Sequence, residues 1–73
     1  MNKLQQQLIN ALKQAANGQY PTTIRHLQPL LEQLGWTPKL LTEAVKELEA
    51  EGRLTGVYAN NKVKQIRLPE DFD

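Results

Sequence analysis

The apolar positions of this chain change period several times, and each change marks a new element. Leu4, Leu8, Ala11, Leu12 and Ala15 recur at three- and four-residue steps, while Lys3, Gln6, Gln7, Asn10, Lys13 and Gln14 point the other way. This is the stripe of an amphipathic helix packed along one side. Asn2 and Gln5 have the spacing of a capping box at its start, and Asn17-Gly18 ends it, because glycine suits the left-handed turn beyond a helix. Tyr20-Pro21-Thr22-Thr23-Ile24 then reads as extended, being rich in β-branched residues.

Pro29 sets the next boundary. Inside a helix proline costs about 3 kcal/mol, but at the first helical position it is accepted. A second helix is therefore predicted from Gln28 to Leu34, with Leu27, Leu30, Leu31 and Leu34 inward and Gly35 closing it. A helix from Thr22 that kinks at Pro29 is the alternative. Thr37-Pro38 starts a third helix, a hydroxyl cap followed by proline in the first turn, and Glu51-Gly52 ends it. At 100° per residue Leu41, Ala44, Val45 and Leu48 share its inner face. Lys39, Glu43, Lys46 and Ala50 lie opposite, with Leu40, Glu47 and Glu51 on one flank and Thr42 and Glu49 on the other.

The period then falls to two. Leu54, Gly56 and Tyr58 alternate with Arg53, Thr55 and Val57, and a second extended run goes from Lys62 or Val63 to Leu68. Asn60-Asn61 between them signals a hairpin, since asparagine tolerates positive φ. Leu54 should share a face with Ile66 and Leu68. A two-residue turn at 60–61 pairs Leu54 with Arg67, on the wrong face. A three-residue loop, 60–62, pairs Leu54 with Leu68 and Gly56 with Ile66, and is the expected one, because a one-residue slip turns every side chain over. Pro69 ends the strand, so residues 1–68 form the domain and 69–73 an acidic flexible tail.

Composition narrows the function. At 73 residues the chain makes one small domain with a thin core, and 40 % apolar residues is ordinary for a globular chain. The absence of cysteine excludes disulfides and thiolate metal sites and fits a cytoplasmic setting. No apolar run approaches membrane length, and the start lacks a signal-peptide core. Net charge is only +1, but it is segregated. Glu43, Glu47, Glu49 and Glu51 face the single cation Lys46 in 43–51, whereas Arg53, Lys62, Lys64 and Arg67 have no acid among them in 52–68. Such segregation makes a local basic face on a nearly neutral chain. One histidine leaves no metal cluster, no glycine loop cradles phosphate, and no nucleophile motif is present, so neither a cofactor, a small-molecule substrate nor an enzymatic activity is expected.

The order helix, short strand, helix, tight turn, helix, hairpin resembles the winged helix-turn-helix fold, an α+β class with three helices and a C-terminal β-hairpin wing. The stretch GWTPKLLTEAVKELEAEGRLTG, Gly35 to Gly56, is similar to the turn, recognition helix and first wing strand of bacterial repressor DNA-binding domains such as that of LexA. The shared pieces are Gly-aromatic, Thr-Pro, the apolar row Leu41, Val45 and Leu48, and the spacing of Leu48, Gly52 and Leu54. The resemblance implies a regulator of transcription or replication that binds double-stranded DNA. Helix 37–51 would enter the major groove, which admits one helix, and the 58–64 wing would lie on the backbone. It assigns the groove-facing role to Thr37, Lys39, Leu40, Thr42, Glu43 and Lys46, and backbone contacts to Lys62 and Lys64. Asn60 and Asn61 are turn residues first, with minor-groove contact the sharper option. Arg25 precedes the second helix, where such domains often meet the backbone.

Several residues have a plainer reading. Trp36 is expected as a core anchor beneath the turn, Tyr58 as packing on the core face of the wing, and His26 as a surface or capping residue. Glu47, Glu49 and Glu51 are expected to solubilise the helix and to pair with Lys39 and Lys46 at i, i+3 or i, i+4 spacing. Glu43 stays open between such pairing and a hydrogen bond from cytosine N4. Leu40 is either a contact to a thymine methyl or an exposed apolar residue covered by a protein. The second function class is accordingly a winged helix that docks a protein partner, or a second copy as a homodimer, without binding DNA.

Overall fold

The computed structural model describes residues 3–72. Three helices and three strands follow in the order α1 (Lys3–Ala16), β1 (Thr22–Ile24), α2 (Gln28–Leu34), α3 (Pro38–Ala50), β2 (Thr55–Ala59) and β3 (Lys62–Leu68). The strands make one antiparallel sheet in the order β1-β3-β2. The described residues form an α+β domain whose three helices and C-terminal hairpin are compatible with a winged-helix shape. Among the described residues no helix is long and apolar enough to cross a membrane.

Local chemistry explains the helix ends. Pro29 stands in the first turn of α2, and Gly35 closes that helix at φ 70, its N–H and that of Trp36 both donating to Leu31 O. Thr37, in extended conformation, accepts from the Leu40 N–H and caps α3 ahead of Pro38. Leu8, Ile9 and Leu12 of α1, Leu41, Val45 and Leu48 of α3, and Ile66 and Leu68 of β3 form the fully buried centre. Trp36 is half-buried against it.

Helix α1 is turned from its expected face. Leu4 is 41 % exposed and Ala15 is also exposed, whereas Gln5, Ile9 and Ala16 are buried with Leu8, Ala11 and Leu12. Apolar gain scales with area. Burying Ile9 in mid-helix outweighs burying the methyl of Ala15, so the helix turns to favour it. Gln5 goes inward and donates to Glu47 Oε2 at 3.3 Å; the capping pair expected of Asn2 lies outside the described residues.

The hairpin register is right at its base and different at its tip. Gly56 pairs with Ile66 and Thr55 with Arg67, as the face argument requires, but Tyr58 pairs with Val63 and Ala59 with Lys62. The loop is therefore the two-residue Asn60-Asn61 turn, with φ 53 and 63, and not the 60–62 loop. These are the paired left-handed conformations of the turn that best matches strand twist. A bulge between Val57 and Tyr58 leaves Lys64 as the extra residue of β3 and restores the register toward the base. It lets Val63 and Ile66, three residues apart, both face the core.

The segment after β3 is not simply a frayed tail. Phe72 is 7 % exposed, its N–H donates to Pro69 O, and its ring lies 5.8 Å from that of Tyr20. A core this small recruits a large apolar ring wherever the chain can return it. Asp73 lies outside the described residues.

Candidate functional site

With its apolar face clamped inward, α3 turns Lys39, Glu43 and Lys46 outward, opposite the tip of the hairpin. Between them lies a concavity of about 360 Å³, lined by Lys39, Thr42, Glu43 and Lys46 from α3 and by Asn60, Asn61 and Lys62 from the wing. Three lysines, two asparagines and one glutamate thus line one depression from two elements. The side chains of Lys39, Glu43 and Lys62 make no ion pair or hydrogen bond among the described residues, and all three residues are exposed.

Two clasps fix the wing against α3. The first is Thr42. Expected on the groove-facing side, it is instead 4 % exposed at the floor of the concavity. Its hydroxyl donates to Pro38 O at 2.8 Å and accepts from the Val63 N–H at 3.0 Å. The bulge places that buried amide where β2 does not serve it, and a hydroxyl one turn into α3 satisfies it instead. Thr42→Val keeps the shape and orphans the amide, which costs about 1–3 kcal/mol. Thr42→Ser should lose less. Urea unfolding of the two variants separates these outcomes, and equal stabilities would refute the role of the hydroxyl.

The second clasp is Glu49, whose Oε1 accepts from the Gly56 N–H at 2.9 Å and from the Tyr58 hydroxyl at 2.8 Å. The Gly56 amide, then the Tyr58 hydroxyl, hold the Glu49 carboxyl below its usual value of 4.5. Burial, then the bonded Glu49, push the Tyr58 phenol up to about 12. Lys46 Nζ sits 5.6 Å from the centre of the Tyr58 ring, a cation–π distance. Because the folded-state pKa of Glu49 is depressed, its contribution is complete above 4.5 and is lost as pH falls through the lower, folded value. The melting temperature should therefore drop as pH is taken below that point, and Glu49→Gln should make the drop shallower. An unchanged pH profile would exclude the clasp.

Two more glutamates of this segment are also engaged. Glu47 accepts from Gln5, and Glu51 pairs with Arg53 at 3.1 Å. The expected pairing of these glutamates with Lys39 and Lys46 does not occur among the described residues, because nearer partners on α1, β2 and the helix end hold them. Thr37 is exposed but its hydroxyl is occupied as the cap, and Leu40 is half-buried. Arg25, between β1 and α2, and Lys64, on β3, are exposed and do not line the concavity. A larger open depression of about 630 Å³ lies at the other end of the sheet, between Pro21, Thr22, Thr55, Arg67 and Pro69. The only charged side chains lining it are Arg67 and Glu49, and the latter is committed to the wing.

Sequence reading missed the clasps. The signal for one was present: Gly56 two residues before Tyr58 on the same face leaves room for the ring to fold back over the strand. Comparison with protein-family models, with curated proteins and with solved structures finds no match to this chain.

Proposed function

We propose that this domain binds double-stranded DNA, with the exposed face of α3 entering the major groove and the hairpin tip on the backbone, as a regulator of transcription or replication. The observation that carries the reading is the concavity that Lys39 and Lys46 of α3 and Lys62 of the wing line together, with the asparagine turn beside them. Groove and wing contacts on one surface are what a duplex requires of this arrangement. The two clasps support it, since a wing held at a set angle enters a complex with little ordering to do. The sequence resemblance over Gly35 to Gly56 points the same way.

Retardation of random duplex DNA across a salt series tests the proposal. Binding is expected at low salt and should weaken as salt rises, with a slope of about −3 to −4 in log K against log salt if Lys39, Lys46, Lys62 and Lys64 each meet one phosphate. No shift at the lowest salt, with α3 intact by NMR, removes the DNA reading and favours a protein partner. That second reading draws on the mild net charge, the acidic second half of α3 and Leu40, of which Leu40 is half-buried.

A further inference from the structure

Four glutamates lie between residues 43 and 51, and three have structural employment. Glu47 holds Gln5, Glu49 clasps Gly56 and Tyr58, and Glu51 pairs with Arg53. Glu43 alone has no partner among the described residues. It is exposed, one turn beyond Lys39 and one before Lys46, and lines the concavity that Asn60, Asn61 and Lys62 close from the wing. A carboxylate there weakens phosphate binding, because it opposes the lysines that neutralise the backbone. No hydrogen bond or ion pair among the described residues accounts for its presence.

We infer that Glu43 is the specificity-determining residue of this surface and selects a cytosine in the major groove. The inference rests on the DNA-binding reading above. An ionised carboxylate only accepts hydrogen bonds. In the major groove guanine offers the acceptors O6 and N7, and thymine offers O4 and a methyl group; both repel or fail to pair with it. Cytosine presents the N4 amine as a donor with no adjacent acceptor on its own edge. Adenine presents N6 beside the acceptor N7, so it ranks second. The flanking ammonium groups of Lys39 and Lys46 reach phosphates or guanines on either side and seat the carboxylate at the base edges. The same charge that lowers affinity for arbitrary DNA thereby raises the contrast between sites, which is specificity obtained through repulsion.

Glutamine at this position is isosteric, uncharged, and both donates and accepts, which matches adenine N6 and N7. The test is selection of duplexes from a randomised library by the full chain, by Glu43→Gln and by Glu43→Ala, with folding of each confirmed by circular dichroism. The wild-type set should show one position enriched in cytosine by about tenfold or more over guanine, the size of one mismatched contact. Glu43→Gln should move that position toward adenine and leave the others unchanged. Glu43→Ala should flatten it while binding random duplex more tightly than the wild type. Identical preferences in all three proteins overturn the role of Glu43 and leave DNA binding standing. Retention of no duplex by any of them overturns both.

Discussion

Gly56→Ala should cost about 2–4 kcal/mol, most of it through the collision of one methyl group with Tyr58. A Cβ built at Gly56 lies 2.5 Å from the Tyr58 hydroxyl oxygen, 2.6 Å from Cζ, and 3.0 Å from Cγ1 of Val45. The ring cannot yield without leaving Glu49, which it reaches at 2.8 Å. Val45 is fully buried in the centre of the core and cannot yield either. Overpacking contributes about 1–3 kcal/mol and the lost hydrogen bond about 1 kcal/mol. A chain of 73 residues has about 4–11 kcal/mol in total at the usual per-residue stability, so the variant loses a large share of it. A double-mutant cycle isolates the cause. In a Tyr58→Ala background the added methyl meets no ring and keeps only the contact with Val45 Cγ1 at 3.0 Å, so the cost of Gly56→Ala should fall by more than half. Additive costs would mean that the glycine is needed for another reason.

This glycine shows why parts of the fold were legible in the sequence and parts were not. Breakers and caps act locally, and their chemistry carries from sequence to structure unchanged. Pro29 and Gly35 bound α2 at Gln28 and Leu34, and Thr37-Pro38 opens α3 where a hydroxyl and a proline belong. The inner face of α3 is also as expected, because Leu41, Ala44, Val45 and Leu48 leave no second apolar stripe to compete. Helix α1 does offer a competitor. Leu8, Ala11 and Leu12 can be flanked by Leu4 and Ala15 or by Ile9 and Ala16, and only the shape of the neighbouring elements decides between them. The hairpin combines both cases. The face rule gave the Gly56–Ile66 pairing, while the conformational tolerance of asparagine gave a two-residue turn. Each is correct locally, and the bulge at Lys64 reconciles them.

The candidate site divides along the same line. Helical period set Lys39, Glu43 and Lys46 on the outer face, the resemblance assigned them and Lys62 to one surface with the asparagine turn beside it, and the fold brings the two sets around one concavity. Thr42 was assigned to the groove face by the resemblance, while helical angle puts it on a flank. Its burial follows from the wing strand that crosses it and from an amide that needs an acceptor. The roles of Glu47, Glu49 and Glu51 likewise depend on groups distant in sequence, such as Gln5 and Gly56. Charge pattern along one helix cannot supply such partners.

Reversing the charge of the wing should abolish DNA binding without unfolding the domain. Lys62 and Lys64 are exposed, Lys62 beside the asparagine turn and Lys64 at the bulge, and neither bonds to another described side chain. Surface substitutions of this kind stay within about 0.5 kcal/mol. Together, Lys62→Glu and Lys64→Glu remove two phosphate contacts and set two carboxylates against the backbone. The salt slope of any residual binding should become shallower by about 2. Net charge falls from +1 to −3 in the variant, since each substitution subtracts two, so bulk charge must be separated from position. Lys3→Glu with Arg67→Glu produces the same net charge from exposed residues that do not line the concavity. That variant should keep most of its affinity for random duplex at low salt, while the wing variant shows no shift. Equal loss in both would mean that overall charge and not the placement of the wing governs association. Equal retention would place the duplex on some other face, and the geometry of α3 and the hairpin would then need a different ligand.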